Sequence, residues 1–83
     1  MHHVMNLRLA HKLIAEAEHA PLGSLKVRGR EAAWEVHLMA EAGLVKATEL
    51  EQLDPPEAVI TGITHAGHHF YRALKSVRSF SNS

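Results

Sequence analysis

The sequence predicts one small α+β domain, with elements in the order helix, short strand, helix, β-hairpin, helix. Three observations carry that prediction. Apolar residues recur at the spacing of a helix face in three stretches, short β-compatible runs lie between them, and Gly or Pro punctuates the junctions. A chain of 83 residues has room for a single core, burying somewhat more than about 60% of its unfolded surface. Residues 1–83 are therefore expected to form one domain, with 1–3 and 79–83 as disordered ends.

The first helix is expected from Val4 to about Glu18, where Leu7, Ala10, Leu13, Ile14 and Ala17 share one face and Arg8, Lys12, Glu16 and Glu18 fall elsewhere. Pro21 and Gly23 end it. In "SLKVRG" two β-compatible residues alternate with basic ones before Gly29, which reads as a short strand and a turn. A second helix follows from Arg30 to Ala42, with Ala33, Val36, Leu38 and Ala40 suited to it. Gly43 stands where a left-handed cap is expected. Val45 to about Glu51 and Glu57 to Ile63 then flank "QLDPP", whose adjacent prolines neither continue a helix nor donate to a ladder. The simplest reading is a hairpin with a long tip. Thr64 caps a final helix in which Ala66, Phe70, Ala73, Leu74 and Val77 share a face. These periods place Leu7, Leu13, Ile14, Val36, Leu44, Val45, Ile60, Ile63, Phe70 and Leu74 in the core.

A helix that ends in Gly-Leu-Val and passes into a hairpin is how a winged helix-turn-helix leaves its recognition helix for its wing, so the predicted fold is a small winged helix-turn-helix-like domain. The stretches "HLMAEAGLVK" and "ITGITHAGHHFYRAL" resemble a family of bacterial and prophage proteins of unknown function, domain of unknown function 2513. Ala42, Gly43 and Leu44 match the family's alanine-glycine-leucine step, and Thr64, Gly67, His68 and Phe70 match its threonine-led helix with a glycine-histidine-x-phenylalanine motif. The resemblance covers roughly residues 25–75. It implies a winged-helix fold and a bacterial or prophage setting, and it brings no biochemical role with it. The chain departs from the family at Trp34 and Glu35, where a tyrosine-histidine pair is usual, and at His65, where a tryptophan is usual.

Nine basic residues balance nine acidic ones, so no global positive field marks a nucleic-acid binder and any such contact has to be local. A near-zero net charge also favours self-association, and a homodimer through the first and last helices is expected. There are no cysteines, which excludes a disulfide framework and thiolate zinc sites and is compatible with a reducing cytoplasm. No stretch of roughly 20 apolar residues is present, so a soluble cytoplasmic protein with no membrane partner is expected.

The eight histidines are the most unusual feature of the composition. "THAGHH" spaces His65 from His68 by three and from His69 by four residues, which lets two imidazoles reach one side of a helix. Without a third ligand or the glutamate of the pattern HExxH the signal is weak, and no metal or other cofactor is expected. His68 is expected to pack on the wing or the middle helix, with His65 and His69 solvated. No nucleophile elbow, phosphate loop or paired-carboxylate signature occurs, so neither an enzyme nor a small-molecule substrate is expected.

Two recognition surfaces remain. Lys26, Arg28 and Arg30 alternate along the predicted strand leading into the middle helix, placing them on one side of it to clamp the phosphates of double-stranded DNA. His37 and Lys46 extend that set. Against it, the middle helix carries Glu31, Glu35 and Glu41, and the hairpin tip "EQLDPPE" is acidic. DNA-linked regulation is the first expectation. The alternative is a protein-interaction or dimerisation module, using Trp34 and Glu35 as the partner surface.

Overall fold

The computed structural model describes residues 5–81, with side chains through Ser76. The predicted order holds: α1 (Leu7–Glu18), β1 (Leu25–Arg28), α2 (Arg30–Glu41), β2 (Val45–Leu50), β3 (Glu57–Ile63) and α3 (His65–Ser81). The result is a small α+β domain of three helices and one antiparallel sheet ordered β1-β3-β2, an arrangement compatible with a winged helix. Residues 1–3, 82 and 83 of the expected disordered ends lie outside the described residues, while 79–81 continue α3.

α1 begins at Leu7 rather than Val4 because Asn6 caps it, its side-chain oxygen accepting from the Leu9 N–H at 3.2 Å. Ala10, Leu13, Ile14 and Ala17 face inward as the period requires. Leu7 does not join them. It is 52% exposed, because the core starts one turn further along the helix and periodicity alone does not say how far the neighbouring elements reach. His11 occupies the buried face instead, its ring stacked on Tyr71 of α3 at 4.7 Å.

Gly29 turns the chain from β1 into α2 with a φ of +112°, and its N–H donates to the Pro56 carbonyl at 2.8 Å. That turn requires a glycine, since other L-residues avoid this region. Val36 and Met39 carry α2 onto the inner face of the sheet, where Val27, Ala58 and Ile60 meet them. β3 is the middle strand: Ile60 lies opposite Leu25 on one side and Ala47 on the other. A register shift at Lys46/Ala47 leaves Thr61 as the extra residue, and its hydroxyl donates to the Lys46 carbonyl at 3.1 Å.

The stretches "HLMAEAGLVK" and "ITGITHAGHHFYRAL" meet in space. Gly43 takes the expected left-handed conformation at φ +79° after α2, and the chain turns inward at Leu44. The Leu44 carbonyl accepts from the Thr64 N–H at 3.0 Å, while the Thr64 hydroxyl lies 2.6 Å from the Gly43 oxygen and 2.9 Å from that of Leu44. The same hydroxyl oxygen accepts from Gly67 N–H at 3.0 Å, capping α3 as expected. Gly67 is buried against the Leu44 carbonyl, with no room for a Cβ.

The buried face of α3 differs from the predicted one. Gly67 is buried and Phe70, Tyr71 and Leu74 are half-buried, whereas Ala66 and Ala73 are exposed and the side chain of Val77 lies outside the described residues. Phe70 and Ile63 pack on the rim of the core rather than within it. A short glycine at the closest approach rotates the helix so that its large side chains flank the contact.

Candidate functional site

Lys26 and Arg28 do share the outer face of β1, as strand alternation requires. They share it with Glu57, their neighbour on β3: Lys26 Nζ lies 3.0 Å from Glu57 Oε1 and Arg28 Nε 3.8 Å from Oε2. Arg30 is not on the strand. β1 ends at Arg28, and Gly29 redirects the chain so that Arg30 opens α2, which breaks the predicted three-residue stripe. Lys46 is exposed opposite Gly62, five strand residues from the Glu57 level of Arg28, about 16 Å along the sheet at 3.3 Å per residue.

Glu35 is not available to a partner. It is 3% exposed and its Oε1 accepts from the Asn6 N–H at 3.1 Å, tying the start of α1 to α2. Burial pushes its carboxyl above the ordinary value of 4.5; the Asn6 N–H opposes that shift, and the nearby Glu31 charge adds to it. The residue type pointed outward, yet Glu35 lies one turn before Met39 on the inward face of α2. It consequently presents no charge to a groove of DNA.

Trp34 is 42% exposed and stacks on His37, with ring centroids 4.9 Å apart and planes 24° from parallel. Together they form one wall of a groove of about 470 Å³ between α2 and the turn end of the β2–β3 hairpin. Ala33 and Pro56 supply apolar surface, and Arg30, Glu31, Glu49, Glu51 and Glu57 stand around it. The sequence did not bring Glu51 and Glu57 of "EQLDPPE" to this place. The cue present was the spacing of Glu49 and Glu51, which puts two acids on one side of a strand and its extension.

His37, expected as a switchable DNA contact, is held by acids. Its Nδ1 lies 2.8 Å from Glu49 Oε1 and its Nε2 3.5 Å from Glu41 Oε2, one turn on along α2. Ligand-type atoms of His37, Glu49 and Glu51 all fall within 4.8 Å of one another. Among the described residues this trio, and not the histidines of α3, is the grouping with converging donor atoms. His65 and His69 are exposed. The polar partner of His68 is on the first helix: its Nδ1 lies 3.3 Å from Glu18 Oε2, joining α3 to the end of α1, because α3 runs back along α1.

Fold and groove together define a small winged-helix-like domain whose outer α2 face is aromatic and acid-rimmed. Compared with protein-family models, curated proteins and solved structures, the chain matches none. No helix among the described residues is long and apolar enough to cross a membrane.

Proposed function

We propose that this domain is a protein-interaction module, taking a partner segment with an apolar side chain beside basic residues into the groove between α2 and the hairpin. The observation that carries this reading is the setting of Trp34: a large aromatic ring left 42% exposed over apolar surface, with Glu31, Glu49 and Glu51 around it against the guanidinium of Arg30, and with Glu57 already paired to Lys26 and Arg28. Aromatic anchors in desolvated pockets supply much of the affinity of protein interfaces, and a rim of one sign selects partners of the other. The volume, about 470 Å³, suits one or two apolar side chains. The ion pairs of Glu57 with Lys26 and Arg28 further reduce the positive potential of the neighbouring sheet face.

The reading is tested by selecting a displayed random-peptide library on the wild-type domain and on Trp34→Ala at pH 7.5. Enrichment of sequences with an apolar residue next to Lys or Arg, lost in Trp34→Ala, is the expected result. Enrichment that survives the substitution, or none at all, overturns it.

DNA-linked regulation is the second reading, favoured by Arg30 and Lys46, which are exposed and form no ion pair among the described residues. A cytoplasmic setting, a bacterial or prophage origin through domain of unknown function 2513, and a homodimeric state belong to the proposal on either reading.

A further inference from the structure

We propose that His37, Glu49 and Glu51 bind a divalent transition-metal ion of the zinc class, clamping α2 to the hairpin. The donors come from two elements that the core already holds together: His37 from α2, and Glu49 and Glu51 from β2 and the residue just beyond it. Their ligand atoms lie within 4.8 Å of one another. A tetrahedral ion with bonds of 2.0–2.1 Å needs its donors about 3.3 Å apart. His37 Nδ1 and Glu49 Oε1, at 2.8 Å, need open by only half an ångström, and Glu51 is exposed and rotates to close the third side.

The surroundings fit the ion in two further respects. A metal-binding imidazole usually donates its other N–H to a carboxylate, which fixes the tautomer. Glu41 Oε2, 3.5 Å from His37 Nε2, reaches that N–H with a small side-chain movement, which frees Nδ1, now 2.8 Å from Glu49 Oε1, to ligate. The three side chains also border the Trp34 groove, which gives an entry path and space for a fourth ligand, such as water. One imidazole with two carboxylates is a mixed nitrogen and oxygen donor set, suited to zinc, cobalt or nickel rather than to calcium, which takes six to eight oxygens.

This site stands on its own geometry and does not depend on peptide docking, since failure of the library selection leaves the three donors where they are. An ion there would draw two carboxylates out of the groove's acidic rim, so loaded and metal-free forms should differ in their preference for basic segments.

Trp34 is the chain's single tryptophan and stacks on the proposed ligand ring, so its fluorescence reports on this site alone. Titration at pH 7.5 with nickel, a quenching ion, should give a saturable loss of emission at one equivalent, reversed by added zinc and unaffected by calcium. Glu51→Gln and Glu49→Gln should each weaken the response at least about tenfold, and Glu41→Gln by about tenfold through the imidazole. Glu51 is exposed, so its amide variant tests the site without unfolding the domain. A variant with His2, His3, His65 and His69 changed to alanine should quench like the wild type. The proposal is overturned if Trp34 does not respond, if calcium acts like zinc, if neither glutamine substitution at Glu49 or Glu51 matters, or if the response vanishes when those four histidines are changed.

Discussion

The carbonyl of Leu44 is seated directly against the α-carbon of Gly67, so at this point the turn after α2 meets the start of α3 backbone to backbone. A methyl group at Gly67 would run into that carbonyl and come within 2.8 Å of Ile63 Cγ2. Neither obstacle is the loose end of a flexible side chain. Gly67→Ala must push α3 away from the Gly43–Leu44 turn, and it should cost at least about 3 kcal/mol, the upper part of the range for overpacking. Gly43→Ala, strained only by its φ of +79°, should cost about 1 kcal/mol. Urea denaturation of the two variants checks the order; an equal or reversed cost would mean that α3 is not seated on Leu44.

Core substitutions should follow burial rather than size. Ile60 and Met39 are fully buried, so Ile60→Ala and Met39→Ala should each cost about 2–5 kcal/mol. From the sequence, Phe70 ranks beside Ile60, and Met39 is not among the expected core positions. Phe70 is in fact half-buried on the rim, so Phe70→Ala should cost less than Ile60→Ala in the same denaturation series, and a larger loss at Phe70 would count against the packing of α3.

Punctuation was legible and pairing was not. Gly43, Thr64 and the adjacent prolines fixed where α2, α3 and the hairpin strands stop, because each residue type has few backbone options. Periodicity found Ile14, Val36 and Ile60 for the same local reason. What the sequence hid depends on distant neighbours. Glu35 and His11 are polar residues on buried faces, His68 meets Glu18 from fifty residues away, and Arg30 leaves the basic stripe because Gly29 bends the chain. The meeting of His37 with Glu49 and Glu51 likewise requires the packing of α2 on the sheet, which no local pattern encodes.

Glu35 sets a pH dependence of known sign. Burial raises its carboxyl above 4.5, so the folded chain holds this proton more tightly than the unfolded chain does. Ionising the group then works against folding, and its contribution to stability falls as pH climbs from the unfolded value through the raised one. Glu35→Gln keeps an acceptor for the Asn6 N–H and removes the charge. Stability of Glu35→Gln relative to the wild type should therefore grow as pH is raised through that window and level off above it. A relative stability that stays flat or falls over the same range would show that the buried carboxylate carries no such cost.

Self-association has a narrow route. α1 and α3 pack on each other within one chain, through His11 with Tyr71 and Glu18 with His68, and Leu7 is the large apolar residue of α1 left exposed. Among the described side chains of the two helices, Leu7 is the large apolar one that a homodimer here would bury. Sedimentation should then show a dimer at micromolar to millimolar concentration that Leu7→Glu converts to monomer, whereas a monomeric wild type across the range removes the homodimer.

The central claim is that the outer face of α2 and its groove recognise protein rather than DNA, and titration of a labelled duplex at pH 7.5 tests it most directly. The pH is held above neutrality, because acid adds positive charge to any histidine-rich chain, here with eight histidines, and so attracts polyanions indiscriminately. With Glu57 holding Lys26 and Arg28, and His37 held by Glu49, no binding is predicted at about 50 mM salt, a condition that favours phosphate contacts. Binding that weakens with salt, and whose salt slope falls by up to about three units when Lys26, Arg28 and Arg30 are changed together to alanine, would contradict the claim and assign the basic residues to DNA.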